Sequence, residues 1–308
     1  MSMNKFGLSR NIPAEVKRSV RQRDGFGCIV CGSAFPQYDH VGIEFKDAKV
    51  HSADQIILLC GGCHDLKTRG ALSTETLQRH AKSPFCRRVG YARGPLDIGI
   101  ESPEIVIGTI NTTNVSTLIE FEGEPLFTVS PPEADGEPFL INAKLFGPDE
   151  KPMLYIENNV FLLSPSNWDV KVEGQKIEIR CAPGVFYLKM RVEPPRRIVI
   201  ENLVMAHKQC RIECKEGSPT TLQNGLKKFE IDASANGGDS VICLNSNGLA
   251  LSSGGAGLYI KEYRSEALPR KQFTSWSFPF ASIDPRRNAL CNCGSGQRYK
   301  NCHGAIKE

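Results

Sequence analysis

The chain has 308 residues, of which 40% are hydrophobic and 23% are charged, and its formal net charge at pH 7 is +4. This length suits two ordinary domains and a small appendage, and the apolar content is compatible with folded cores, so disorder is not the expected state. Basic residues outnumber acidic ones in residues 1–100 and 285–308, whereas acidic residues prevail between them. A basic end segment suits a polyanionic partner, although charge alone does not identify one.

Neither an export signal nor a membrane anchor is expected. The first twenty residues have no apolar run, and the longest uncharged run, 241–260, is full of Asn, Ser and Gly, which is typical of turns between strands. Seven of the twelve cysteines fall into two close clusters. Thiolate metal sites in a reducing cytoplasm are therefore expected rather than disulfides, and no membrane partner is predicted.

Three helices and two strands are predicted near the start of the chain. Residues 12–23 combine apolar positions at helical spacing with several lysines and arginines, which predicts an amphipathic helix with a basic face. A second helix is predicted from just after Cys60 toward Arg69, and a third over residues 74–81, with Ser73 as its cap and Pro84 beyond its end. Strands are predicted at QYDHVGIEF and at QIILL.

The motifs CIVC and CGGC supply the ligands of a first zinc site. Their cysteines can bring four thiolates to the corners of a tetrahedron, with Zn–S distances near ~2.3 Å. The predicted ligands are Cys28, Cys31, Cys60 and Cys63. Four sulfurs complete the coordination of this ion, so His64 is left for other chemistry.

The order RDGFGCIVCG, YDHV and HSADQIILLCGGCHDLKT resembles the HNH endonuclease family, which has a ββα-metal fold with a zinc-binding cysteine pair. The resemblance covers roughly residues 12–80. It implies that Asp39 and His64 hold one catalytic ion, Mg²⁺ or Mn²⁺, and that His40 is the general base. Gln55 stands where the family usually has an asparagine that fixes the loop of the base histidine, and its extra methylene is expected to loosen that alignment.

Phosphodiester hydrolysis needs this combination of groups. A neutral imidazole, with an unperturbed pKa near ~6.5, can take the proton of the attacking water, while a hard cation stabilises charge on the phosphate and the leaving oxygen. The predicted phosphate contacts are Arg18, Arg21, Lys67 and Arg69. His51, in the loop between the two strands, could reach the metal, but a place at the surface is expected. His80, late on a helix, is expected at the surface or as a favourable charge at the helix C-terminus.

From about residue 101, short runs rich in Val, Ile, Phe and Thr alternate with turn signals. This pattern predicts an antiparallel all-β domain, with a β-sandwich as the first choice and a β-solenoid-like arrangement as the second. His207, Cys210 and Cys214 are close in sequence, but the two cysteines would be ~13 Å apart along a strand with His207 on its other face. They are therefore expected to be core sulfurs, like Cys181 and Cys243, and Asp169 is expected at a solvated surface.

The tail RRNALCNCGSGQRYKNCHG resembles the SEC-C motif, a short zinc-binding module. Its three sulfurs and one nitrogen imply a second structural zinc. The ligands that the resemblance gives are Cys291, Cys293, Cys302 and His303. Protein docking, nucleic-acid contact and simple stabilisation are left open as the purpose of this module.

We therefore predict an α+β multidomain protein. The predicted parts are an N-terminal ββα-metal HNH nuclease domain with a structural zinc (1–95), a central antiparallel, sandwich-like regulatory or recognition domain (100–267), a linker (268–287) and a SEC-C module (288–308). The predicted function is a metal-dependent DNA endonuclease, with defence against foreign DNA as its setting. The alternative is a non-catalytic zinc-containing adaptor for nucleic acid or protein. A protein partner through the SEC-C module or the β domain, and a homo-oligomer, are left open.

Overall fold

The computed structural model describes residues 3–252 and 258–264. The chain divides into two compact units, Met1–Lys271 and Gln272–Glu308, and all the described residues belong to the first. The predicted linker and the predicted SEC-C ligands, Cys291, Cys293, Cys302 and His303, lie outside the described residues. The predicted domain limits are not tested and stay predictions.

The first 90 residues hold short helices and one hairpin. Their elements are α1 (Ala14–Asp24), β1 (Pro36–His40), β2 (Ile56–Cys60), α2 (Gly61–Thr68), α3 (Thr74–Lys82) and α4 (Phe85–Val89), with 3₁₀ turns at Phe45–Asp47 and Ala53–Gln55. Gly25 ends α1 with a left-handed φ of 77°, and Ser73 caps α3 by accepting the Thr76 N–H. The three helices predicted here are confirmed, each within two residues.

Strands β1 and β2 form a two-stranded antiparallel sheet with apolar residues on both faces. Ile57 and Leu59 pack on one face with Cys63 and Leu77, from α2 and α3. Ile56 and Leu58 face the other way and pack with Val20 of α1. Because alternate residues of β2 are buried on opposite sides, helices cover both faces of this hairpin.

A single large sheet takes up most of the remaining described chain. Its strands are β3 (Ala92–Pro95), β4 (Glu104–Ile107), β5 (Ile110–Phe121), β6 (Glu124–Ser130), β7 (Leu140–Phe146), β8 (Pro152–Glu157), β9 (Val160–Leu163), β10 (Asp169–Glu173), β11 (Lys176–Ala182), β12 (Val185–Glu193), β13 (Arg197–His207), β14 (Cys210–Lys215), β15 (Thr220–Asn224), β16 (Lys227–Asn245), β17 (Gly248–Ser252) and β18 (Leu258–Arg264). Most neighbours are antiparallel, but β4 pairs in parallel with β13 and β5 pairs in parallel with β16. The sheet is therefore mixed.

The predicted fold class is wrong. Over residues 3–252 and 258–264 the structure is mostly β, with 50% strand and 15% helix, and these residues form neither the expected N-terminal ββα-metal HNH fold nor a purely antiparallel central domain. Strand β3 leaves the helical segment and pairs with β9 in the large sheet. The parallel pairings join strands that are distant in sequence, and local turn patterns carry no information about them.

The helix α1 is fixed to the large sheet by a buried ion pair. Arg21 donates two hydrogen bonds to the Asp169 carboxylate, at 2.8 and 2.7 Å, and a third to the Tyr38 hydroxyl at 2.6 Å. Arg180 adds a contact of 3.2 Å to the same carboxylate. Asp169 is 1% exposed, so its expected place at a solvated surface is wrong. Two guanidinium groups compensate the burial of this charge.

The two cysteines of β14, Cys210 and Cys214, are buried as predicted, and Cys181 and Cys243 are half-buried. His207 does not join them, because its Nε2 lies 3.0 Å from Glu124 and its ring stacks on Phe146. Within the residues that the structure describes, no helix has the length and apolarity needed to cross a bilayer.

Candidate metal centre

Four cysteines converge at the start of α2. The Sγ atoms of Cys28, Cys31, Cys60 and Cys63 all lie within 4.8 Å of one another, and those of Cys31 and Cys60 are 3.5 Å apart. Four sulfurs at ~2.3 Å from one zinc ion would be roughly 3.8 Å apart. The cluster therefore fits a tetrahedral structural zinc. In the part of the chain that the structure describes, no other group of three or more His, Cys, Asp or Glu side chains is this compact.

The thiols of this cluster cannot all ionise without a cation. A hydrogen bond from Cys31 lowers the pKa of Cys28 to about 5, whereas burial raises the pKa of Cys63 to about 12. The Cys28 thiolate is thus favoured, while Cys63 keeps its proton unless a metal ion displaces it. Zinc binding is expected to release protons and to stabilise the fold.

Cys60 connects the cluster to α2. It ends β2, and its sulfur lies 3.5 Å from the Cys63 backbone N–H that it caps at the start of the helix. The next turn of α2 carries His64 and Lys67. The same cysteine therefore serves the sulfur cluster and sets the start of the helix that carries His64.

Asp39 and His64 lie next to each other. Asp39 pairs with Ile57 across the hairpin and so faces α2, where its Oδ1 lies 3.8 Å from Nε2 of His64. Two ligands at ~2.1 Å from one hard cation can be no more than about 4.2 Å apart. The pair is close enough to share an ion, and His64 is 41% exposed, so an ion could reach it.

Lys67 occupies the other side of the Asp39 carboxylate. Its ammonium is bonded to Oδ2 of Asp39 and donates a hydrogen bond of 2.6 Å to the carbonyl oxygen of His40. Asp39 is only 15% exposed, so this contact partly neutralises a carboxylate with little access to water. A divalent cation at Asp39 would therefore sit beside a fixed positive charge.

His40 is the last residue of β1. Its ring centroid lies 5.7 Å from that of His51 and 5.8 Å from that of Phe45. His51 is half-buried, not at the surface as expected, and its Nε2 lies 2.8 Å from the carbonyl oxygen of Ser9. Nε2 of His40 and Nδ1 of His51 are buried, with no hydrogen-bond partner among the described residues.

The environment of His40 favours its neutral form. Burial lowers the pKa of this imidazole, and the nearby His51 and Lys67 lower it further, while Asp39 acts in the opposite direction. An imidazole that is neutral at pH 7 can accept a proton. This is the protonation state that the predicted general base requires.

Gln55 supports the strand end through its backbone. It ends the 3₁₀ turn before β2, and its carbonyl oxygen accepts the Val41 N–H at 2.9 Å. Val41 directly follows His40, so this bond fixes the point where the chain leaves β1. The expected effect of the longer Gln55 side chain stays a prediction.

The four predicted phosphate contacts all have partners within the chain. Arg21 is 12% exposed and bonded to Asp169, and Arg18 lies over the Trp168 ring, 5.2 Å from its centroid. Lys67 is bonded to Asp39, and the exposed Arg69 pairs with Asp65 at 2.9 Å. Phosphate binding by any of them would require these contacts to be exchanged.

Sequence patterns did not indicate the burial of Asp24 or the contact that fixes His51. Asp24 is fully buried, is bonded to Arg23, and accepts the Leu58 N–H at 2.9 Å, which anchors β2. The segment that begins with Asp24, DGFG, is typical of an exposed turn. The position of His51 depends on the carbonyl group of Ser9, 42 residues earlier, and no local pattern indicates such a contact.

Comparison with known protein families matches residues 287–305 to the SEC-C motif, which confirms the interpretation of the tail as that motif. The match contains the four predicted ligands of the second zinc. No match to the chain was found among curated proteins or among solved structures.

Proposed function

We propose that the protein is a metal-dependent nuclease that hydrolyses phosphodiester bonds of DNA. The observation that carries this proposal is the 3.8 Å separation between Oδ1 of Asp39 and Nε2 of His64. The half-buried His40 directly follows Asp39 in the chain. The sequence resemblance to HNH endonucleases assigns the same three residues to this chemistry. The proposal concerns these side chains and does not depend on the ββα-metal fold.

Each residue has a separate role in the proposed reaction. A cation held by Asp39 and His64 would stabilise charge on the phosphate and the leaving oxygen. His40, kept neutral by its surroundings, takes a proton from the attacking water. His51 and Phe45 flank the His40 ring and limit its movement.

The ion pair of Lys67 favours a second candidate function, that of a non-catalytic adaptor. If the ammonium satisfies Asp39 permanently, the carboxylate has a structural role and no divalent cation binds there. The zinc sites would then support binding surfaces for nucleic acid or protein. This alternative predicts that DNA is bound but not cut.

A plasmid assay distinguishes the two functions. The full chain, with its zinc retained, is incubated with supercoiled DNA and Mn²⁺ or Mg²⁺. We expect nicking or cutting that falls by at least about 100-fold in His40→Ala, since removing a general base typically costs 10²–10⁴ in rate. A similar loss is expected in His64→Ala.

His80→Ala is the matched control, because His80 lies in the last turn of α3 and belongs neither to the sulfur cluster nor to the group of Asp39, His40 and His64. It should cut like the unchanged protein. If DNA is shifted on a gel but never cut with either ion, the adaptor function is supported. If His40→Ala cuts normally, the assignment of the base is wrong.

A further inference from the structure

An exposed aromatic and basic surface lies next to His40. It is formed by the N-terminal strap (residues 3–10) and the loop between β1 and β2 (residues 41–55). Phe6 is 50% exposed, with the ammonium groups of Lys5 and Lys49 lying 5.2 and 5.6 Å from its ring centroid. Arg10 lies over Phe45 at 4.9 Å. Two aromatic rings thus stand among three cations.

The strap and the loop are fixed to each other. The Asn4 side chain donates hydrogen bonds of 2.7 Å to the carbonyl oxygens of Phe45 and Ala48, and its Oδ1 accepts the N–H groups of Phe6 and Leu8 at 3.0 Å. One amide therefore organises both segments. The position of Phe6 relative to the loop is set before any partner binds, which reduces the entropy cost of binding.

Two cations of this surface have no carboxylate partner. Lys5 pairs with Asp47, and Lys46 pairs with Glu44. Arg10 and Lys49, in contrast, lie over aromatic rings and make no ion pair with any residue that the structure describes. An exposed cation–π contact is weak, so these two charges can move to a phosphate at little cost.

We propose that this surface binds a single-stranded segment of nucleic acid, with a base stacked on Phe6 and phosphates held by Lys49 and Arg10. Single strands are bound by an aromatic side chain and a basic groove together, and in a duplex the faces of the bases are not accessible to such a ring. Phe45 connects the surface to the candidate site, since its ring centroid is 5.8 Å from that of His40. The inference rests on the proposed nuclease function, because it specifies the strand that would reach His40.

Fluorescence anisotropy tests the binding without cleavage. The full chain, with zinc retained and no Mg²⁺ or Mn²⁺ added, is titrated into a labelled oligothymidine of about 20 nucleotides, with an RNA counterpart and a duplex as separate arms. Phe6→Ala should weaken single-strand binding about tenfold or more, and Phe6→Trp should retain it. In a plot of log K against log salt concentration, the slope for Lys49→Gln should be less steep by about 0.7, because one phosphate contact is lost.

Tyr259→Ala is the matched control, because Tyr259 is 59% exposed on β18, outside the strap and the loop. It should bind like the unchanged protein. Equal affinity of Phe6→Ala and the unchanged protein overturns the proposal, and so does tighter binding to the duplex. Binding to anionic vesicles but not to oligonucleotides would instead identify a membrane surface.

The failure of this inference can be told apart from that of the proposed function. Phe6-dependent binding without any cutting would support the single-strand binding surface and overturn the proposed nuclease function. Cutting together with binding that does not depend on Phe6 would support the nuclease function and overturn the binding surface. Preference for the RNA arm would support single-strand recognition while changing the substrate.

Discussion

Lys67 is the residue at which the two proposed functions differ most. In the nuclease it lies beside a cation and can exchange Asp39 for a phosphate, whereas in the adaptor its bond to Asp39 is permanent. Because Lys67 is charged, removing that charge should change divalent-ion binding in the nuclease but not in the adaptor.

Replacing Lys67 should therefore change divalent-ion binding. Lys67→Gln removes a positive charge from the Asp39 carboxylate, and a unit charge at ~4 Å is worth at least about 1 kcal/mol. If Asp39 and His64 hold a cation, Mn²⁺ affinity measured by calorimetry should rise roughly fivefold or more. Lys82→Gln, exposed on α3, is the control. Absence of Mn²⁺ binding at the Asp39 site in both the unchanged protein and Lys67→Gln would argue against the nuclease.

Glu124 provides a prediction about pH. Burial raises the pKa of this carboxyl, but hydrogen bonds from His207 and Lys208, with Lys144 nearby, outweigh burial and bring it to about 2. Because the folded pKa lies below the ordinary value of 4.5, the stabilisation is present above pH 4.5 and is lost as pH falls toward 2.

Glu124→Gln should accordingly cost roughly 1–2 kcal/mol of unfolding free energy at pH 7, allowing for solvent at a partly exposed group. The difference from the unchanged protein should shrink through pH 4.5 and nearly vanish near pH 2. Urea unfolding across this range measures it. A difference that stays constant with pH would show that the loss comes from packing and not from ionisation.

At the scale of elements, the sequence predicts the helices but not the contact that attaches α1 to the large sheet. Helical spacing of apolar residues, Gly25 and the Ser73 cap indicate α1 and α3 from a few neighbouring residues. The contact of Arg21 with Asp169 joins residues 148 apart, and a polar residue beside Trp168 looks solvated in sequence. Distant ion pairs of this kind have no local signal.

The buried pair should be important for the stability of the junction between α1 and β10. Asp169→Ala leaves Arg21 and Arg180 without their shared carboxylate, and removing one partner of a buried ion pair typically costs ~3–5 kcal/mol. Urea unfolding should show a loss of that size. Glu173→Ala, 69% exposed at the end of the same strand, should change stability by less than about 0.5 kcal/mol. Similar small losses in both variants would contradict this account of the junction.

At the scale of the molecule, the sequence predicted the sulfur cluster but not the fold around it. The motifs CIVC and CGGC specify ligands by short spacing, whereas only the resemblance to HNH endonucleases implied that Asp39 and His64 lie together. The large sheet depends on which of sixteen strands pair, including the parallel pair of β5 and β16. Each strand alternates in a similar way, so periodicity cannot choose its neighbour.

Metal content of the purified full chain tests the two zinc sites. We expect two zinc ions per chain by mass spectrometry, one at Cys28, Cys31, Cys60 and Cys63 and one in the SEC-C segment. Cys28→Ser and Cys302→Ser should each retain one ion, since a lost thiolate opens a four-ligand site. Cys243→Ser, half-buried in β16, should retain both. Two ions in Cys28→Ser would exclude the four-thiolate site.

The double role of Cys60 has a thermodynamic consequence. A metal ion in the sulfur cluster would order the start of α2, and the turn that follows holds His64 opposite Asp39. A hard cation that selects the same arrangement would therefore bind cooperatively with zinc although the two ions share no ligand. By reciprocity, each ion would raise the affinity of the protein for the other, so removal of zinc would weaken the binding of a hard cation at the neighbouring site.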